Sequence, residues 1–201
     1  MKRKGAEAQR KTLSVLCIGL LALVFSARVA ASETRHTIDP ETQLSTWEAS
    51  GDGVHLRLTQ ISPQQARAFM QARGLDEKSV EEFAHTCVYM TVLRNELKSP
   101  IKYCLAEWRY VPEFGTPQTM LGKHDWLAKW QPRKLPKSVK LAFDWSQFPF
   151  EQTFATGDWN QGMTTFELPA GSRFDLQYRW WRNGKLYENT LRNIQCPTNF
   201  D

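Results

Sequence analysis

The chain has little that would mark it as an enzyme of a known kind. There is no Gly-x-Ser-x-Gly elbow to present a serine nucleophile. A glycine-rich phosphate loop is also missing, because Gly51-Asp52-Gly53 leads into a strand pattern and not a helix. No internal repeat and no low-complexity tract is present, which excludes a repeat architecture. No apolar run reaches the about 20 residues that a membrane-spanning helix needs. Cysteine is scarce, at four in 201 residues, and the length suits one ordinary domain plus a targeting segment.

Excess charge is lacking as well, once the first residues are set apart. They have an export layout: a basic stretch (Lys2, Arg3, Lys4, Arg10, Lys11), an apolar core from Leu13 to Phe25, and Val29-Ala30-Ala31 as a small-residue cleavage site. An uncleaved anchor is the alternative. Cys17 lies mid-core behind Leu16, where a lipid-attachment pattern has a small residue. Residues 1–31 are therefore expected to be a signal peptide and the protein to be periplasmic. They hold six Lys/Arg and one Glu, so the remainder has 26 − 6 = 20 basic and 21 − 1 = 20 acidic residues. The net charge of +5 belongs to the leader, and no electrostatic footprint for nucleic acid is left. Arg133-Lys134, Lys137 and Lys140 form a local basic cluster that reads as a solvated loop.

Three cysteines follow the leader: Cys87, Cys104 and Cys196. In an oxidising compartment two of them should pair. All three pairings are open. Cys87 with Cys196 is favoured, because it ties the first core strand to the end of the last and closes a loop of about 110 residues, where chain entropy contributes most. Cys104 is then a small, buried free thiol.

Along the chain, residues 32–52 have little periodicity and read as a flexible N-terminal arm, onto which Trp47 can dock. A mostly β domain over residues 53–201 follows. Val54, Leu56 and Leu58 alternate with polar residues as a first strand. Ser62-Pro63-Gln64-Gln65 is a capping-box helix start, and Gly74 ends that helix. Ser79 to Ala84 reads as a second short helix, which makes residues 62–85 a helical insertion after the first strand. Thr86 to Arg94 is apolar on both faces, as a central strand is. Ile101 to Val111 is the returning strand. Pro112 to Lys137 is an irregular connection. Val139, Leu141, Phe143 and Trp145 alternate as a further strand. Phe174, Leu176, Tyr178 and Trp180 alternate with Arg173, Asp175, Gln177 and Arg179, and Asn183-Gly184 closes a hairpin onto Lys185 to Ile194.

Leu168-Pro169-Ala170-Gly171-Ser172-Arg173-Phe174-Asp175-Leu176 resembles the corner between strands E and F of immunoglobulin-like and fibronectin type III domains. The resemblance implies an immunoglobulin-like antiparallel β-sandwich and concerns fold alone. Cys87-Val88-Tyr89-Met90-Thr91-Val92-Leu93-Arg94-Asn95 and Gly157-Asp158-Trp159-Asn160-Gln161-Gly162-Met163-Thr164 are similar to small exported proteins of Gram-negative bacteria. That similarity implies a periplasmic home and no activity.

Two sets of side chains are candidates for function. Met120, His124 and Met163 are soft ligands of the kind that hold copper, with Met120 and His124 four residues apart. The plainer reading is core methionines beside a surface histidine. Eight tryptophans are the other abundance. Trp108, Trp145 and Trp180 fall on strand patterns and read as core, whereas Trp126, Trp130 and Trp159 fall in connections. Trp159 between Asp158 and Asn160, with Trp126, is the candidate surface for a partner or ligand; the plainer reading is a loop tucked in by its own tryptophan. No carboxylate pair or Cys–His pair is set by spacing. The expected function is that of an exported, non-enzymatic accessory or binding protein that meets another periplasmic or membrane-associated protein, serving an envelope redox or metal-handling system. The alternatives are a copper-binding chaperone and an enzyme of unknown type.

Overall fold

Alternating large and polar side chains pair into two antiparallel sheets in the computed structural model, which describes residues 33–198. The predicted signal peptide, residues 1–31, lies outside the described residues. In chain order the elements are β1 (Glu33–Ile38), β2 (Ser45–Gly51), β3 (Val54–Ile61), α1 (Pro63–Gln71), α2 (Glu77–Ala84), β4 (Cys87–Asn95), β5 (Ile101–Cys104) and β6 (Arg109–Pro112). They continue with α3 (Lys123–Lys129), α4 (Lys137–Ser146), β7 (Glu151–Phe154), β8 (Trp159–Phe166), β9 (Arg173–Arg182) and β10 (Lys185–Gln195). The first sheet has the order β1-β2-β3-β4-β8; the second has β10-β9-β5-β7, with β6 also paired to β9.

The period of two sorts side chains onto faces. The first sheet sends Trp47, Leu56, Leu58, Tyr89 and Phe166 inward, and the second sends Phe174, Leu176, Tyr178 and Trp180 to meet them. Tyr89 and Phe166 pack edge to face at 5.6 Å, and Phe166 meets Phe174 across the sheets at 4.6 Å. The Cys87–Cys196 disulfide closes one end of this interior, with a Cα–Cα distance of 5.2 Å. Cys104 is a half-buried free thiol.

A second core lies on the other face of the first sheet. There Val88 and Met163 pack under the four helices with Phe83, Trp126, Trp130 and Phe143. Ser62 caps α1 as its sequence predicts: Gln65 N donates to Ser62 Oγ at 3.1 Å, and Ser62 N donates to Gln65 Oε1 at 2.9 Å. Arg133 bridges to Glu82 and reaches toward Asp76, while Trp130 Nε1 donates to Glu82 Oε2 at 3.1 Å. Partial burial pushes the Glu82 carboxyl up, but the bonds from Arg133 and Trp130 more than offset it and hold its pKa below the ordinary value.

Several expectations change here. The expected arm at residues 32–52 holds two paired strands, β1 and β2, and Trp47 of β2 sits opposite Leu58 in a ladder of six pairs with β3. The helical segment follows the third strand and not the first. The irregular stretch 112–137 contains α3 and a 3₁₀ turn at Gln131–Arg133. The expected strand from Val139 to Trp145 is helix α4. Val139 and Phe143 are four apart and buried, whereas Leu141 and Trp145 are 45% and 76% exposed. A period of two and a period of 3.6 both fit that string; the apolar floor beneath Val139 and Phe143 decides for the helix. Leu141 and Phe143 therefore do not share an interior with Phe174 and Leu176.

One glycine is fixed by this arrangement. After α4 the chain runs parallel to β8, with Gln147 bridged to Met163 and Phe148 N donating to Met163 O at 2.9 Å. A Cβ at Gly162 would overlap the backbone of Gln147 and Phe148. Gly162→Ala is expected to destabilise the protein by about 2–3 kcal/mol, because the obstruction is backbone and cannot rotate away. Chemical denaturation measures this, and a loss under about 0.5 kcal/mol would refute the close approach.

Candidate binding surface

The helices cover only one end of the outer face of the first sheet. Ile61, Met90, Val88 and Met163 lie under them. Two rows of residues beyond remain open. One runs across five strands as Arg35, Glu48, Arg57, Val92 and Gln161; the next holds Ser50, His55, Arg94 and Trp159. Cross-strand neighbours of this kind have Cβ atoms about 4.5–5.5 Å apart, so Arg94 flanks Trp159 directly and Arg57 lies on the diagonal from Arg94.

Trp159 is 51% exposed at the start of β8. It is held there from behind. Gly157 adopts a left-handed φ of 80°, and Asp158 Oδ2 accepts from Ala155 N at 2.8 Å, which closes the turn before the strand. The fully buried Asn95 then clamps the turn: its N donates to Asp158 O at 2.9 Å, its O accepts from Gly157 N at 2.9 Å, and its Nδ2 donates to Ala155 O at 2.9 Å. Asn160 turns away from solvent use, with Nδ2 donating to Gln152 Oε1 at 2.8 Å and Oδ1 accepting from Gln161 N at 2.7 Å. Asp158 and Asn160 thus make bonds within the turn and strand that position Trp159. Asn95 was not legible as a positioning residue; a polar residue ending an apolar strand carries no signal of its own.

Arg35, Arg57 and Arg94 are exposed, and among the described residues none of their guanidinium groups has an ion-pair or side-chain hydrogen-bond partner. Glu48 lies 3.7 Å from His55 Nε2 instead. On the outer face of the second sheet Arg179 pairs with Glu188, Lys102 with Glu151 and Arg192 with Asp175, while Arg109 donates only to the carbonyls of Ala106 and Trp108. The open rows of the first sheet thus set three arginines that make no ion pair near an exposed indole. Arginine is suited to carboxylates because its planar fork can make two parallel bonds.

The other candidates are placed differently. Trp126, expected at the surface, is fully buried in α3, with Nε1 donating to Thr165 Oγ1 at 2.9 Å. It reads as a loop residue in sequence because α3 is seven residues long and its N-cap, Gly122, has no side chain, its N–H donating to Asp125 Oδ2 at 2.8 Å. Met120, His124 and Met163 are not brought together as a copper site. Met120 is buried in the sandwich core, Met163 in the core beneath the helices, and His124 is exposed with its ring edge against Phe150 at 5.8 Å. Among the described residues no three His, Cys, Asp or Glu side chains form a group able to hold a metal ion. A hollow of about 310 Å³ beside the disulfide is lined by neutral residues such as Gln43, Ser45, Gln60 and Gln64, with no carboxylate or histidine. No family model matches the chain, and no curated protein does.

Proposed function

We propose that this is an exported, periplasmic binding protein that works without catalysis, and that the open rows of the first sheet receive an acidic segment of a protein partner. The single observation that carries the reading is the set of exposed arginines, Arg35, Arg57 and Arg94, that make no ion pair among the described residues and share the open rows with the half-exposed Trp159. An anionic partner supplies the missing counter-charges, and the indole supplies an apolar anchor of the kind that dominates interface energies. The Cys87–Cys196 disulfide is consistent with an oxidising compartment.

The same proposal treats the sandwich as immunoglobulin-like. What supports it is strand adjacency: β3-β4-β8 has the order A-B-E, and β10-β9-β5 has the order G-F-C. The Leu168-to-Phe174 turn then carries the chain from one sheet to the other, as an E–F corner does. In this reading α3 and α4 occupy the connection where strand D would lie, and β1 and β2 extend the first sheet.

The test is binding of a labelled oligoglutamate peptide, followed by fluorescence anisotropy at increasing salt. Wild type should bind with an affinity that falls as salt rises. Trp159→Ala should weaken binding about tenfold, or ~1.4 kcal/mol. R57E/R94E should abolish it, while K102E/R179E on the second sheet should leave it unchanged. Equal effects from the two double variants would sink the proposal.

A further inference from the structure

Helix α4 has two unlike faces. Val139, Phe143 and Ser146 are buried against the helical core. On the opposite side Leu141 and Trp145, four residues apart, stand 45% and 76% exposed. Lys137 lies one turn before Leu141, so Lys137, Leu141 and Trp145 form one row about 12 Å long. Lys140 and Lys134 flank the start of that row, and all three lysines are exposed. Among the described residues none of the three is in an ion pair. The one acid of α4, Asp144, is already held by Lys123 at 2.8 Å. Arg133 is committed to Glu82.

An exposed Trp and Leu at one end and uncommitted lysines at the other is the make-up of an interfacial helix face. We propose that this ridge rests on an anionic lipid surface, with Trp145 and Leu141 entering the headgroup region and Lys134, Lys137 and Lys140 meeting lipid phosphates. A protein groove is the poorer fit. Two apolar side chains on a convex ridge fall far short of the about 20–30 residues a side that a stable protein interface uses. Lipid contact needs only a few inserted side chains supported by charge. The ridge shares no residue with the arginine face, so variants of one leave the side chains of the other in place.

The test uses the full chain with phosphatidylglycerol/phosphatidylethanolamine vesicles that contain a brominated lipid. The N-terminal apolar stretch can itself hold the chain on vesicles, so the deciding signal is local. Quenching of tryptophan emission is measured in wild type and in Trp145→Phe; the difference is the share of Trp145. That share should be strongly quenched on anionic vesicles and unquenched on phosphatidylcholine. K134E/K137E/K140E should remove it, matching a loss of roughly fivefold in affinity per lysine. Far-UV circular dichroism should be unchanged in that variant, because all three positions are exposed. A vesicle-bound chain whose Trp145 stays unquenched, or is quenched equally on both lipids, would overturn the assignment.

Discussion

Replacing Cys87 and Cys196 together by alanine is expected to lower the unfolding free energy by about 4–5 kcal/mol. The bridged residues are 109 positions apart, so the cross-link denies the unfolded chain a very large set of conformations. It also joins the start of β4 in the first sheet to the residue just after β10 in the second, and thereby pins the two layers at one end. Both cysteines are fully buried, so a reductant should act only when the chain opens. Urea denaturation of the wild type, oxidised and reduced, and of the double variant measures the effect. Cys104→Ala is the control and should be nearly neutral, because that thiol is unbridged and only half-buried. A double variant that loses less than about 1 kcal/mol would mean that the unfolded chain is already held compact by other contacts.

That bridge was legible in the sequence because chain order and compartment argue for it without coordinates. The hairpin of β9 and β10 was legible too. Phe174, Leu176, Tyr178 and Trp180 face a core on one side only, and a one-sided strand alternates cleanly. The reading failed where a segment is short or fits two periods. Val139 to Trp145 satisfies both templates, and only the core beneath it selects the helix. β1 is six residues long and exposed on the described part of both faces, so no apolar pattern marks it; pairing with β2 makes it a strand. The candidate surface was half legible. Trp159 was found as an exposed indole, but its arginine neighbours come from β1, β3 and β4, and cross-strand register is not written in local sequence.

The tryptophans show the same limit as an energetic contrast. Trp126→Ala is expected to destabilise the protein by about 3–5 kcal/mol, and Trp145→Ala by less than about 0.5 kcal/mol. Sequence patterning assigns these two residues the opposite way. Trp126 is fully buried, with its ring 5.3 Å from Phe83 and 5.0 Å from Trp130. Removing it leaves a void between α3 and the sheet that the surrounding rings cannot all collapse into. It also strips a donor from Thr165 Oγ1, whose own proton goes to Leu121 O at 3.2 Å. Trp126→Phe separates the two contributions. Keeping most of the bulk and losing only the N–H should cost about 1–2 kcal/mol, the scale of one buried hydrogen bond with its partner left unpaired. Denaturation midpoints of the three variants decide the matter. If Trp126→Ala proves as mild as Trp145→Ala, the helices do not cover β8, and the boundary between the covered and open rows of the first sheet, on which the arginine face depends, would have to be redrawn.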